Sequence, residues 1–81
     1  MLNIETNSKL SPEEAIRSAV IFFGPQGYGL EVKERAPCCV EFQGGGGGIA
    51  VKASARDKGS TVSLESREWD YQVKEFIGKI K

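Results

Sequence analysis

Apolar residues recur along the chain with two different periods, and the switches between them mark the elements. Leu2, Ile4 and Thr6 alternate with polar neighbours and predict a short N-terminal strand. From Ser11 the period lengthens. Ile16, Ala19, Val20 and Phe23 fall on one stripe of a helix. Ser11-Pro12-Glu13-Glu14 opens that helix as a capping box, with serine at the N-cap, proline at the first helical position and glutamate three residues after the cap. Glu13 and Arg17 are spaced to pair on its surface. Gly24-Pro25 closes it, with Gly24 expected in a left-handed cap.

The period then drops to two. Leu30 and Val32 face one way, and Glu31, Lys33 and Arg35 the other. Ala36-Pro37 interrupts the run. Cys38, Val40 and Phe42 alternate with Cys39, Glu41 and Gln43. After the glycines at 44–48, Ile49, Val51, Ala53 and Ala55 alternate with Ala50, Lys52, Ser54 and Arg56. Asp57-Lys58-Gly59 reads as a hairpin turn with the positive φ on Gly59. Val62 and Leu64 continue the inner face, and Thr61, Ser63, Glu65 and Arg67 the outer one. Trp69, Val73, Phe76, Ile77 and Ile80 return to helical spacing, with Ser66 or Asp70 available as a cap and Lys74, Lys79 and Lys81 towards the end. The predicted order is (β)-α-β-β-β-β-α. This is an α+β fold in which an antiparallel meander of four strands, extended by the N-terminal strand, carries both helices on one apolar face.

Size limits what such a fold holds. A chain of 81 residues makes one domain, 1–81, and buries roughly 60–65% of the surface that its unfolded form exposes. Its core is thin, and a large internal chamber is costly. Eleven Lys and Arg balance eleven Asp and Glu, so no excess positive charge draws nucleic acid or an anionic membrane. Met1 to Thr6 lack the basic and apolar regions of a signal peptide. The longest apolar run, Ala19 to Phe23, falls far short of the about 20 residues that a membrane span needs. The expected location is cytoplasmic, with both cysteines as reduced thiols.

Candidate chemistry is sparse. The glycines at 44–48 resemble an anion nest, but Ile49-Ala50-Val51-Lys52 follows instead of Lys-Ser/Thr and a helix, so a P-loop is excluded. A mobile hairpin connection is expected there. Cys38 and Cys39, as neighbours on a strand, are expected on opposite faces, one buried and one outside. The chain has no histidine, which excludes a Cys-His nucleophile, and two adjacent cysteines do not make a four-ligand zinc site. A Cys39 thiol activated by Lys33, Arg35 or Lys52 is the alternative to an inert surface thiol. The outer sheet face carries no aromatic residue to stack bases, so it reads as a solvated face. No pair of carboxylates stands out for acid–base work. No catalytic residue, cofactor or metal is expected.

Some apolar residues lie off the stripes. Ile21 points about 140° from the centre of the first helix stripe, Phe22 is displaced from it, and Tyr71 lies opposite the second stripe. They are the candidate partner surface; the competing reading packs Ile21 and Phe22 beneath the 24–29 loop.

The strand, the Ser11-Pro12-Glu13-Glu14 helix, the meander with Gly59-Ser60-Thr61-Val62, and the closing helix with Trp69 together resemble a shortened helix-grip domain of the START-like class. That resemblance implies an apolar ligand held between sheet and helix. Two functions are therefore expected. The first is a non-catalytic protein-interaction module, a homodimer or a subunit of something larger. The alternative is a small carrier of an apolar molecule near Phe23, Leu30, Val40, Phe42, Val51, Trp69 and Phe76.

Overall fold

In the computed structural model, which describes residues 2–80, alternation is realised as five strands. They are β1 (Leu2–Ser8), β2 (Glu31–Ala36), β3 (Cys39–Gly44), β4 (Gly47–Arg56) and β5 (Gly59–Arg67), with helices α1 (Pro12–Phe23) and α2 (Asp70–Ile80). All neighbours pair antiparallel in the order β1-β5-β4-β3-β2. The N-terminal strand thus joins the end of the meander, running from Leu2 opposite Ser66 to Ser8 opposite Ser60. The fold is α+β, as expected from the pattern. Lys81 lies outside the described residues.

Local chemistry sets the helix starts. The Ser11 hydroxyl accepts from the Glu14 N–H at 3.2 Å and also meets the Glu14 carboxylate at 3.2 Å. Glutamate therefore closes the box on the serine side chain rather than on its amide. The buried Ser66 hydroxyl accepts from the Trp69 N–H at 3.2 Å at the entry to α2. Buried serines hold the other end of the molecule. Ser8 donates to the Ile80 carbonyl and accepts from the Leu10 N–H at 3.1 Å, while Ser60 donates to the Leu10 carbonyl at 2.9 Å.

The core lies between the helices and the inner sheet face. Ala15, Ile16, Ala19 and Phe23 of α1 meet Val40, Phe42, Ile49, Val51, Ala53, Val62 and Leu64, and α2 adds Val73, Phe76, Ile77 and Ile80. Phe23 is its centre, with ring centroids 5.6 Å from Phe42 and 5.1 Å from Phe76. Emptying that position costs about 3–5 kcal/mol, a large part of the stability of a domain this small.

The structure departs from simple alternation at several places. A bulge between Val32 and Glu34 inserts one residue into β2. Glu34 then pairs with Glu41 on the outer face, and Arg35 pairs with Val40 on the helix-bearing side, the reverse of the expected assignment. Ala55 continues the inner register but is exposed. Gly24 is extended at φ −72°, ψ −169°, not left-handed. A side chain there collides with the Val20 carbonyl, and the positive φ falls instead on Gly29. Gly59 does take the expected positive φ, 108°.

Residues 44–48 form the expected hairpin connection, and its turn is tight. Gly44 and Gly47 are the last pair, and Gly45 and Gly46, at φ 59° and 81°, make a two-residue turn of the I′ kind. Each of the remaining glycines is packed too closely for a β-carbon: Gly44 against Leu30, Gly47 against the Arg67 carbonyl, and Gly48 against the Phe42 carbonyl.

Candidate functional site

The residues named for an apolar ligand are the packed core. Phe23, Leu30, Val40, Phe42, Val51 and Phe76 are each at most 3% exposed and belong to one cluster, with half-buried Trp69 at its margin. Their faces are occupied by one another.

The candidate partner residues separate. Phe22 is half-buried, with its ring 5.0 Å from Phe23, 5.4 Å from Tyr28 and 5.5 Å from Phe76. The Lys79 ammonium lies 5.8 Å from its centroid. It is a lid on the core beside the 24–29 loop and is not a free surface. Ile21 and Tyr71 are 60% and 74% exposed, on different helices. Tyr28, also exposed, fastens the loop to α2 by donating to the Glu75 carboxylate at 2.6 Å. The hydrogen bond to Glu75 raises the Tyr28 phenol above its ordinary value, helped by partial desolvation and by the Glu75 charge.

The outer face forms a groove of about 880 Å³. Ala50 is its floor, with Glu65 opposite on β5 and Glu41 opposite on β3. Asn3 and Glu34 extend this row to the two sheet edges. The next row holds Glu5, Ser63, Lys52 and Cys39, with Ser63 donating to Glu5 at 3.2 Å. Because the bulge replaces Arg35 by Glu34, this face is more acidic than alternation predicts. Among the described residues, no group of three or more His, Cys, Asp or Glu is arranged to hold a metal ion.

The cysteines also stand differently. Pro37 and Cys38 form the turn between β2 and β3, leaving Cys38 exposed, while Cys39 opens β3 half-buried. Neither thiol enters the core, and the two are joined as a disulfide between adjacent residues instead of standing as separate reduced thiols.

The sheet has two free edges of different character. The β2 edge is bent by the bulge and carries Lys33 and Arg35, with Pro37 just beyond. The β1 edge is an unbroken seven-residue strand without Lys, Arg or Pro, and Leu2 and Ile4 stand half-buried along it. Edges are ordinarily protected by the devices found on β2. Composition of the edge strands carries this signal, but the sequence alone does not show which strands are edges.

No helix among the described residues is long and apolar enough to cross a membrane. No family model matches the chain, and no curated protein matches it. Among solved structures, the chain is similar to the protein SSP2350 from Staphylococcus saprophyticus, with a TM-score of 0.60 and 13% identity over 95% of this chain and 78% of that one. At that identity the similarity shows a shared fold and nothing further.

Proposed function

We propose that the chain is a non-catalytic interaction module that assembles with a second copy through the free edge of β1. In this reading it is a shortened helix-grip scaffold whose space between sheet and helices is filled by side chains. The observation that carries the reading is the contrast between the guarded β2 edge and the unguarded β1 edge. An antiparallel pairing centred on Ile4 sets Ile4 against its counterpart, Leu2 against Thr6, and Asn3 against Glu5. A pairing centred on Glu5 opposes two carboxylates and is disfavoured. The Ile4-centred register sets the half-buried Ile4 against an apolar neighbour and the half-buried Leu2 against the Thr6 side chain, and it joins two five-stranded sheets into one. Ile21 and Tyr71 stand on separate helices and take no part in it.

Sedimentation equilibrium from micromolar to millimolar protein tests this reading. A monomer–dimer equilibrium is expected. Ile4→Lys should abolish the dimer, and Val32→Lys, a matched change at a half-buried position of the other edge strand, β2, should leave it intact. A wild-type monomer throughout the range, or a dimer lost in Val32→Lys and kept in Ile4→Lys, contradicts the proposal. Circular dichroism of each variant confirms that it is folded.

A further inference from the structure

The paired cysteines lie across the sheet from β1 and play no part in that assembly. Cys38 is held at the exposed turn by its own backbone, since its carbonyl accepts from the Ala53 N–H at 2.8 Å. This bond does not involve sulfur, so the turn is positioned in either oxidation state. Cys39 stands opposite Lys52 on β4, and both line the outer groove. The thiolate is the form that attacks disulfides. The second sulfur is one residue away, at an effective concentration that an external thiol does not match.

We propose that Cys38 and Cys39 form a reversible dithiol–disulfide site that exchanges with small disulfides of the glutathione class. The Cys39 thiolate attacks one sulfur of the small disulfide, forming a mixed disulfide and releasing one small thiolate. The Cys38 thiolate then attacks the Cys39 sulfur, closing the bond between the two residues and releasing the second thiolate. The two protons lost by the protein thiols go to the released thiolates. The protein gives up two electrons, and the small disulfide becomes two thiols. An excess of small thiol runs the sequence backwards. In the reduced state the same two sulfurs suit a trivalent arsenical, which takes two thiolates at one arsenic atom.

Intact-mass spectrometry tests this on the fully reduced protein. The wild type is treated with oxidised glutathione, then quenched in acid and alkylated. The expected product is lighter by two hydrogens and carries neither glutathione nor alkyl group. Cys38→Ser should stop at the mixed glutathione disulfide. Phenylarsine oxide should bind the reduced wild type on the order of 100-fold or more tightly than either single serine variant. Wild-type protein that accumulates glutathione adducts, keeps two alkylatable thiols, or binds the arsenical no better than the single variants overturns the proposal. The wild-type mass result decides the matter even if a serine variant folds poorly.

Discussion

The indole N–H of Trp69 donates to the carbonyl of Gly44 at 3.0 Å, and the same ring lies against Gly45, where an added β-carbon meets it at 2.9 Å. This contact ties the entry of α2 to the β3–β4 turn and explains why two adjacent turn positions differ. Gly45 and Gly46 both have positive φ, but only Gly45 is also packed against the ring. Gly46→Ala should cost about 1–2 kcal/mol from backbone strain alone. Gly45→Ala should cost more, because a rigid ring must also move. Urea unfolding of the two variants measures the difference; equal losses would mean that the Trp69 contact contributes nothing.

Ser8 is buried and serves as donor to Ile80 and acceptor from Leu10. Ser8→Ala leaves both backbone groups without that partner in a nearly dry place. A loss of about 1–3 kcal/mol is expected, read from the denaturation midpoint at unchanged slope. Faster amide exchange should appear at Leu10, with the centre of β4 unaffected.

Tyr28 supplies a pH dependence. Its folded-state phenol lies above the ordinary value of 10.0 because of its hydrogen bond to Glu75. A group raised in the folded state contributes stability that is fully present below its unfolded pKa and is lost as pH rises through the folded one. The tie between loop and α2 should therefore hold at neutral pH and fail only in alkali above about 10. In a Tyr71→Phe background, an absorbance titration should place Tyr28 above 10, and Glu75→Ala should bring it down. An unchanged midpoint in Glu75→Ala would rule out the hydrogen bond as the cause.

Glu68 is the one non-glycine residue at positive φ among the described residues, 69°, where the chain leaves β5 for α2. Its β-carbon is strained there. Glu68→Gly removes the strain but adds freedom to the unfolded chain. A net gain of up to about 1 kcal/mol in thermal or urea unfolding is expected; a clear loss would show that the Glu68 side chain makes a stabilising contact.

Much of this fold is legible in the chain because each signal is local. The capping serine, the alternation from Val40 to Leu64 and the stripe from Val73 to Ile80 all report burial on one face of one element. What escapes is set by tertiary neighbours. Nothing in Glu31-Val32-Lys33-Glu34 announces a bulge, so the positions of Glu34 and Arg35 are unreadable until β3 is placed beside them. Adjacent cysteines read as strand residues unless the hairpin is known to turn at Pro37 and Cys38. The close packing of the glycine run is hidden in the sequence because the atoms crowding it come from Leu30, Arg67 and Trp69, distant in sequence. The candidate edge was legible only as the alternation of Leu2, Ile4 and Thr6. Its exposure follows from pairing with β5, which leaves the other side of β1 open.

Assembly through that open side is tested most directly by hydrogen exchange of the backbone amides at two protein concentrations. In an isolated chain, the β1 amides that do not face β5 exchange at a rate independent of concentration. If a second copy pairs with β1, those amides should become protected as concentration rises and lose protection in Ile4→Lys, while the outward amides of β2 stay fast throughout. Exchange of β1 that is the same at both concentrations, or protection that grows on β2 instead, contradicts the account.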